Sequence, residues 1–238
     1  MQAGLVSPVQ AGRLVGVDLT RCRLAPADHW PACTGPPFEV PFPSSPMILV
    51  LPRSACAKLL TAEVVPWTGD PRIEPQWLDR NQAETDPTWL QVIPYAVLID
   101  LNDRPWAYRR TGGDARLRER RSIGVGGHIE ECDRREGLLT TVRAALVREL
   151  AEELLWYPPQ VTATAPPVAW INEQDSAVGR VHLGLVIAIP WGRPELPQPR
   201  AGEGLEALGF VEQSAVREAA GYERWSVLAA QSLPVIKP

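Results

Sequence analysis

Residues 138–155 contain neither glycine nor proline, in a chain of 238 residues that carries 18 of the first and 25 of the second. An uninterrupted stretch of that length constrains the fold more than any other feature of the sequence. Placed at 100° per residue, Leu139, Leu146, Leu150 and Leu154 form one apolar stripe, which predicts an amphipathic helix. Glu149, Glu152 and Glu153 are spaced i, i+3, i+4, so the helix gathers all three within about 100° of arc beside the leucine stripe. Carboxylates that close repel one another. Sharing a hard divalent cation, which prefers oxygen ligands, relieves the repulsion. Arg148 can orient one of the carboxylates or offset part of their charge. The plain alternative is a solvated acidic face carrying an Arg148–Glu152 pair.

The prolines crowd into the first 95 residues and into 190–199, so these regions are expected to hold short strands and turns. Met47 to Leu51 reads as a buried strand, 52–64 as a short helix and 66–90 as a loop region. Tyr95 to Ile99 is a strong strand candidate. Asn102-Asp103 supplies turn chemistry, and Trp106 to Arg110 reads as the return strand of a hairpin. Ser122 to His128 is a short strand running into a glycine turn. Val181 to Ile189 is another strand, and 211–220 and 224–233 are expected to be helical. Strands and helices mix without a regular βαβ rhythm, which predicts an α/β fold with a mixed sheet.

The net charge of −4 gives no basic excess of the kind that marks nucleic-acid binding. The local run Arg116, Arg118, Arg120 and Arg121 reads first as a solvated strand edge, and second as an attractor for an anionic substrate. Cys22, Cys33, Cys56 and Cys132 form no Cys-x-x-Cys pair and are too few for a disulfide scaffold. Cys22, His29 and Cys33 lie close in sequence but fit no common zinc spacing. No signal-peptide pattern opens the chain, and the apolar run Leu183 to Ile189 is too short to span a bilayer. A cytoplasmic, reduced protein without a membrane partner is the simplest expectation.

Upstream of the acidic helix lies Gly126-Gly127-His128-Ile129-Glu130-Glu131. Glycines let backbone approach a ligand or metal closely, so Gly126, Gly127 and His128 are candidate substrate-binding residues. An ordinary turn after a strand is the alternative. The segment from Gly127 to Trp156 resembles the Nudix box, G-x5-E-x7-R-E-U-x-E-E-x-G-U, in which U is a large apolar residue. Arg148, Glu149, Leu150, Glu152, Glu153 and Trp156 occupy their motif positions. The likeness extends over about residues 88–238, with Tyr95 to Asp100 and Trp106 to Arg110 resembling the first hairpin of such a domain, and Val181 to Gly184 a later core strand. It departs from the pattern three times. Asp133 stands where the family has Glu, fourteen residues rather than seven separate it from Arg148, and Leu155 replaces the glycine after the Glu-Glu pair. Glu130, Glu131 and Glu136 compete with Asp133 for the upstream acid. Pro158-Pro159 is the expected helix stop in place of the glycine. The lengthened box looks like a branch of MutT-like phosphoesterases.

The resemblance implies a Nudix-like α/β/α sandwich over 88–238, with residues 1–87 as a Pro-rich N-terminal extension or small subdomain of unassigned role. It implies a Mg²⁺-dependent hydrolase, with Mn²⁺ as a substitute, acting on the phosphoanhydride bond of a nucleoside diphosphate-linked or related small molecule. Glu149, Glu152, Glu153 and the Gly127 carbonyl would be metal ligands, and Glu152, Glu153, Arg148 and Asp133 the catalytic group. Glu203 and Glu206, in an expected loop, are further base candidates, although a solvated role suits each better. His128 and His182 can titrate near neutrality, with hydrogen bonding inside the fold as their plainer role. Trp106, Trp156 and Trp170 can stack a base, with core packing as the default. Dimers are common in the superfamily, so a homodimer is allowed. Two rivals stand beside the hydrolase. One is a non-catalytic nucleotide-binding or regulatory module. The other, a prenyl-diphosphate isomerase, needs a pocket cysteine and acid that neither Cys132 nor Cys56 matches.

Overall fold

The computed structural model describes residues 45–112, 119–218 and 221–233. Cys22, His29, Cys33, Arg116 and Arg118 lie outside them. Ten strands and five α-helices are placed among the described residues.

Strand β1 (Met47–Pro52) leads through a 3-10 turn at Arg53–Leu59 into β2 (Val64–Pro66) and β3 (Gln76–Asp79). Helix α1 (Arg80–Ala83) precedes the long strand β4 (Trp89–Ile99). Strand β5 (Trp106–Arg110), then β6 (Arg121–Ser122) and β7 (Gly124–Val125), lead to the major helix α2 (Leu138–Glu153). After it come α3 (Pro159–Thr164), β8 (Pro167–Ile171), β9 (His182–Pro190), β10 (Leu205–Phe210), α4 (Gln213–Glu218) and α5 (Arg224–Ser232). The main sheet runs β2-β8-β9-β4-β1-β3, with β7 also on β4, and the smaller sheet runs β10-β5-β6. β4 and β9 pair in parallel from Gln91 to Ile99, while the other pairs of the main sheet are antiparallel. The mixed sheet expected from the sequence is therefore present.

β4 and β9 are nearly continuous apolar runs because both faces of the sheet are covered. Leu90, Val92, Ala96 and Leu98 of β4, with Leu183, Leu185 and Ile187 of β9, share one core with Val142, Leu146 and Leu150 of α2. Tyr95, Val97 and Val186, pointing the other way, share a second core with Leu228, Ala229 and Ala230 of α5. This period-two division between two helical layers makes the α/β/α sandwich.

Two expectations change. The 66–90 region is not a plain loop, since it contains β3 and α1. Asp79 caps α1 by accepting from the backbone N–H groups of Asn81 and Gln82. Strands β4 and β5 do not form a hairpin. They diverge into different sheets, joined by a turn in which Arg104 donates through Nε and Nη2 to the Asp100 carboxylate at 2.9 and 2.7 Å, with only an Ile99–Pro105 bridge between them. Strands on both sides of residue 87 lie in one sheet. No described helix is long and apolar enough to cross a membrane.

Candidate active site

The buried face of α2 is set by Leu138, Val142, Ala145, Leu146 and Leu150. Leu139 lies at its margin. Glu149 follows Ala145 by four positions and Val142 by seven, so it continues the buried face instead of flanking it. Its carboxylate is accommodated beneath Gly127: a Cβ added there would lie 2.5 Å from the Glu149 carboxylate atoms. Gly126 is equally constrained, since a side chain would run into the Pro94 carbonyl oxygen on β4. The Gly-Gly turn is thus fitted against β4 on one side and the helix on the other.

Arg148 organises the acids. Nη1 donates to Glu149 Oε1 at 2.8 Å and to Glu152 Oε2 at 3.1 Å, and Nη2 donates to the His128 carbonyl at 2.8 Å. Nε and Nη2 grip Asp133 at 3.0 and 2.8 Å. Burial opposes the charge on Arg148, but the Asp133 hydrogen bond and the three surrounding acids outweigh it and raise its pKa. Asp133 also accepts from the Glu130 backbone N–H at 3.0 Å. Both of its oxygens are therefore engaged, in a 3-10 turn at Glu131–Asp133 that takes up part of the lengthened box. Of its competitors, Glu130 is bound into the same turn as a capping group, and Glu131 and Glu136 are exposed.

The helix stop differs from the expected one. α2 ends because Leu154 turns extended, at φ −115° and ψ 145°, ahead of Pro158-Pro159. Leu155 N–H donates to the Gln198 carbonyl at 2.9 Å, Arg200 N–H to the Glu153 carbonyl at 2.8 Å and Arg200 Nε to the Ala151 carbonyl at 2.7 Å. The chain end of the helix is closed by a neighbouring strand-like segment, so no left-handed glycine is required at Leu155.

Glu153 is the least compensated member of the group. Its Oε2 is buried and has no hydrogen-bond partner among the described residues. Burial, only partly offset by Arg110, pushes its carboxyl up to about 7, with Glu149, Glu203 and Glu152 adding to the rise. Glu149 is also raised, by burial first and despite Arg148. The donor chemistry, carboxylate oxygens with one buried and without a donor, is that of a hard divalent ion, although Arg148 holds an oxygen of Glu149 and of Glu152 and the three acids do not converge on one point as tightly as Glu84, His128 and His182 do.

Beside this group opens a cavity of about 820 Å³, whose wall includes Gly126, Gly127, His128, Arg110, Glu223 and Trp225. Sequence reasoning missed the last two and Arg110. Glu223 Oε1 accepts from Tyr95 at 2.7 Å and from Ser122 at 2.6 Å, and Arg110 Nε stands 3.8 Å from Glu223 Oε2. Arg110 Nε is buried without a hydrogen-bond partner among the described residues. Trp225 meets the Tyr95 ring edge-on at 5.7 Å. Trp106 and Trp170 are core residues, and Trp156 packs against Trp191 away from the cavity. Glu206 is an exposed partner of Arg109 on β10, not a loop residue. Arg121 lies over the Tyr222 ring, at the strand edge expected for it.

No family model matches the chain. Its fold is shared with the crystal structure of Tm1382, a protein provisionally described as a Nudix hydrolase. The two superpose with a TM-score of 0.59 at 22% identity, over 78% of this chain and 96% of that one. The chain therefore has the Nudix fold. Among curated proteins it is similar to protein YmaB of Bacillus subtilis (strain 168), 34% identical over 112 residues, or 46% of this chain. The matched stretch spans about half of that relative, 53% of its length. DR0079 from Deinococcus radiodurans is a more remote structural neighbour, with a TM-score of 0.48 and 14% identity over 72% of this chain and all of that one.

Proposed function

We propose that this chain is a divalent-metal-dependent pyrophosphohydrolase that cleaves the phosphoanhydride bond of a nucleoside diphosphate-linked or related small molecule. The observation that carries the reading is the unpartnered buried oxygen of Glu153, set beside Glu149 and Glu152 on the helix of a Nudix fold. Glu149, Glu152, Glu153 and the Gly127 carbonyl would hold Mg²⁺ or Mn²⁺, as an all-oxygen donor set suits. Bound there, the ion supplies Lewis-acid stabilisation of phosphate charge and activation of water.

The protein's own groups have separable tasks. Arg148 holds Glu149 and Glu152 in place, and Asp133 acts by positioning Arg148. Gly126 and Gly127 bring the backbone against the acids without an intervening side chain. Arg110 presents a positive charge on the cavity wall, where it would attract the phosphates of the substrate. Trp225 offers an apolar ring for the rest of the ligand. Residues outside the acidic helix select the substrate.

The test is phosphate or nucleotide release from a panel of diphosphate compounds, with and without Mg²⁺, by the native chain and by Glu152→Gln. Turnover that requires Mg²⁺ and is lost in the variant supports the reading. Binding of panel members without turnover would move the assignment to a regulatory nucleotide-binding module.

A further inference from the structure

Next to the Gly127 turn, three donors from distant parts of the chain converge. Glu84 follows α1, His128 follows β7 and His182 begins β9. Their ligand atoms all lie within 4.8 Å of one another. His128 Nε2 stands 3.4 Å from His182 Nε2 and 3.8 Å from Glu84 Oε1. Four ligands at about 2.0–2.1 Å around a tetrahedral ion stand roughly 3.3 Å from one another, so the two imidazoles, which in the metal-free protein share a hydrogen bond, would need almost no movement to hold an ion.

The His182 ring is also oriented for it. His182 Nδ1 donates to the Val178 carbonyl at 2.7 Å, which places its proton on Nδ1 and its lone pair on Nε2, toward His128. A backbone carbonyl behind one ring nitrogen is the usual outer support of a metal-binding histidine. His128 Nε2 donates to the buried Gln91 Oε1 at 2.8 Å, so an ion bound there would take the place of that proton, which moves to Nδ1, while Gln91 Nε2 has no partner among the described residues. His128 and His182 line the cavity, and Glu84 sits on the exposed side of the group.

We propose that Glu84, His128 and His182 form a second metal site, selective for a borderline ion such as Zn²⁺ and distinct from the all-oxygen site on α2. Two imidazoles and one carboxylate suit Zn²⁺ or a similar transition ion, whereas Mg²⁺ prefers oxygen alone. The ion would tie the α1 end, the glycine turn and β9 together beside the cavity. The proposal does not depend on the chain being a hydrolase.

The probe is Co²⁺, added to the full-length metal-free protein and then displaced by Zn²⁺. The expected result is visible absorption typical of tetrahedral cobalt, without a thiolate charge-transfer band. The signal should survive Glu152→Gln and disappear in His182→Gln. Because His182 is buried, Glu84→Gln serves as the second variant. Its Co²⁺ affinity should fall by more than the roughly tenfold that loss of an outer-shell partner costs. Native-like circular dichroism of both metal-free variants ensures that the loss is one of ligation. Failure of the native chain to take up Co²⁺ would overturn the proposal. So would a thiolate band, loss of the signal in Glu152→Gln alone, or unchanged affinity in Glu84→Gln and His182→Gln.

Discussion

Arg148 and Asp133 are joined by paired hydrogen bonds of 3.0 and 2.8 Å across fifteen residues of chain, and that pair fastens the lengthened glycine loop to the acidic helix. Asp133 is almost wholly buried, with 3% of its surface exposed, so removing its charge would leave Arg148 partly uncompensated. Asp133→Asn is expected to lower the unfolding free energy by roughly 3 kcal/mol. Urea denaturation measures this. An unchanged midpoint would show that the loop is held by other contacts.

Gly127→Ala tests the fit between turn and helix. The added methyl meets the Glu149 carboxylate at 2.5 Å and must displace it. A stability loss of about 1–3 kcal/mol is expected from the overpacking, together with weaker Mn²⁺ binding by titration calorimetry. Native-like Mn²⁺ affinity would separate Glu149 from the metal group.

His128 gives a pH prediction for the metal-free protein. Burial, with the charges of Arg80, His182 and Arg148, lowers its pKa from 6.5 to about 3. The folded pKa is the depressed one, so the neutral ring stabilises the fold fully above about pH 6.5. That contribution is lost as pH falls from there toward 3, because the unfolded chain takes up the proton first. The imidazole resonances of His128, followed by NMR, should not titrate between pH 7 and 5. A midpoint near 6.5 would contradict the burial account.

The two described thiols should differ sharply. Cys56 is fully buried, and burial pushes its thiol up to about 11 despite Arg53. Cys132 is exposed. Iodoacetamide at pH 8 should therefore modify Cys132 in the native protein and Cys56 only after unfolding. Peptide mass spectrometry reads the order, and equal labelling would mean that the core around Cys56 opens readily.

The sequence made some parts of this molecule legible and concealed others for identifiable reasons. β4, β9 and α2 carry long uninterrupted apolar or periodic runs, and all three were readable. The buried face of α2 was placed too far round, because the leucines drew the stripe while Leu138, Val142 and Ala145 carried the packing. β8 and β10 were missed, being short and set among prolines or glycines. The acids of the helix were legible from local spacing. The neighbours that decide their chemistry were not, since Arg110 comes from another sheet and Arg200 closes the helix from a segment 47 positions beyond Glu153. Glu84, His128 and His182 share no local spacing and meet only through the order of strands in the sheet.

The most direct measurement compares Mg²⁺-dependent turnover by the native chain and by Glu153→Gln, on the first diphosphate compound that the native chain cleaves. The two proteins should have matching circular dichroism and thermal stability. The account predicts that turnover falls by more than about 100-fold, beyond what loss of an outer-shell group would cause. Equal turnover by the two proteins, or cleavage that proceeds without a divalent ion, would contradict it.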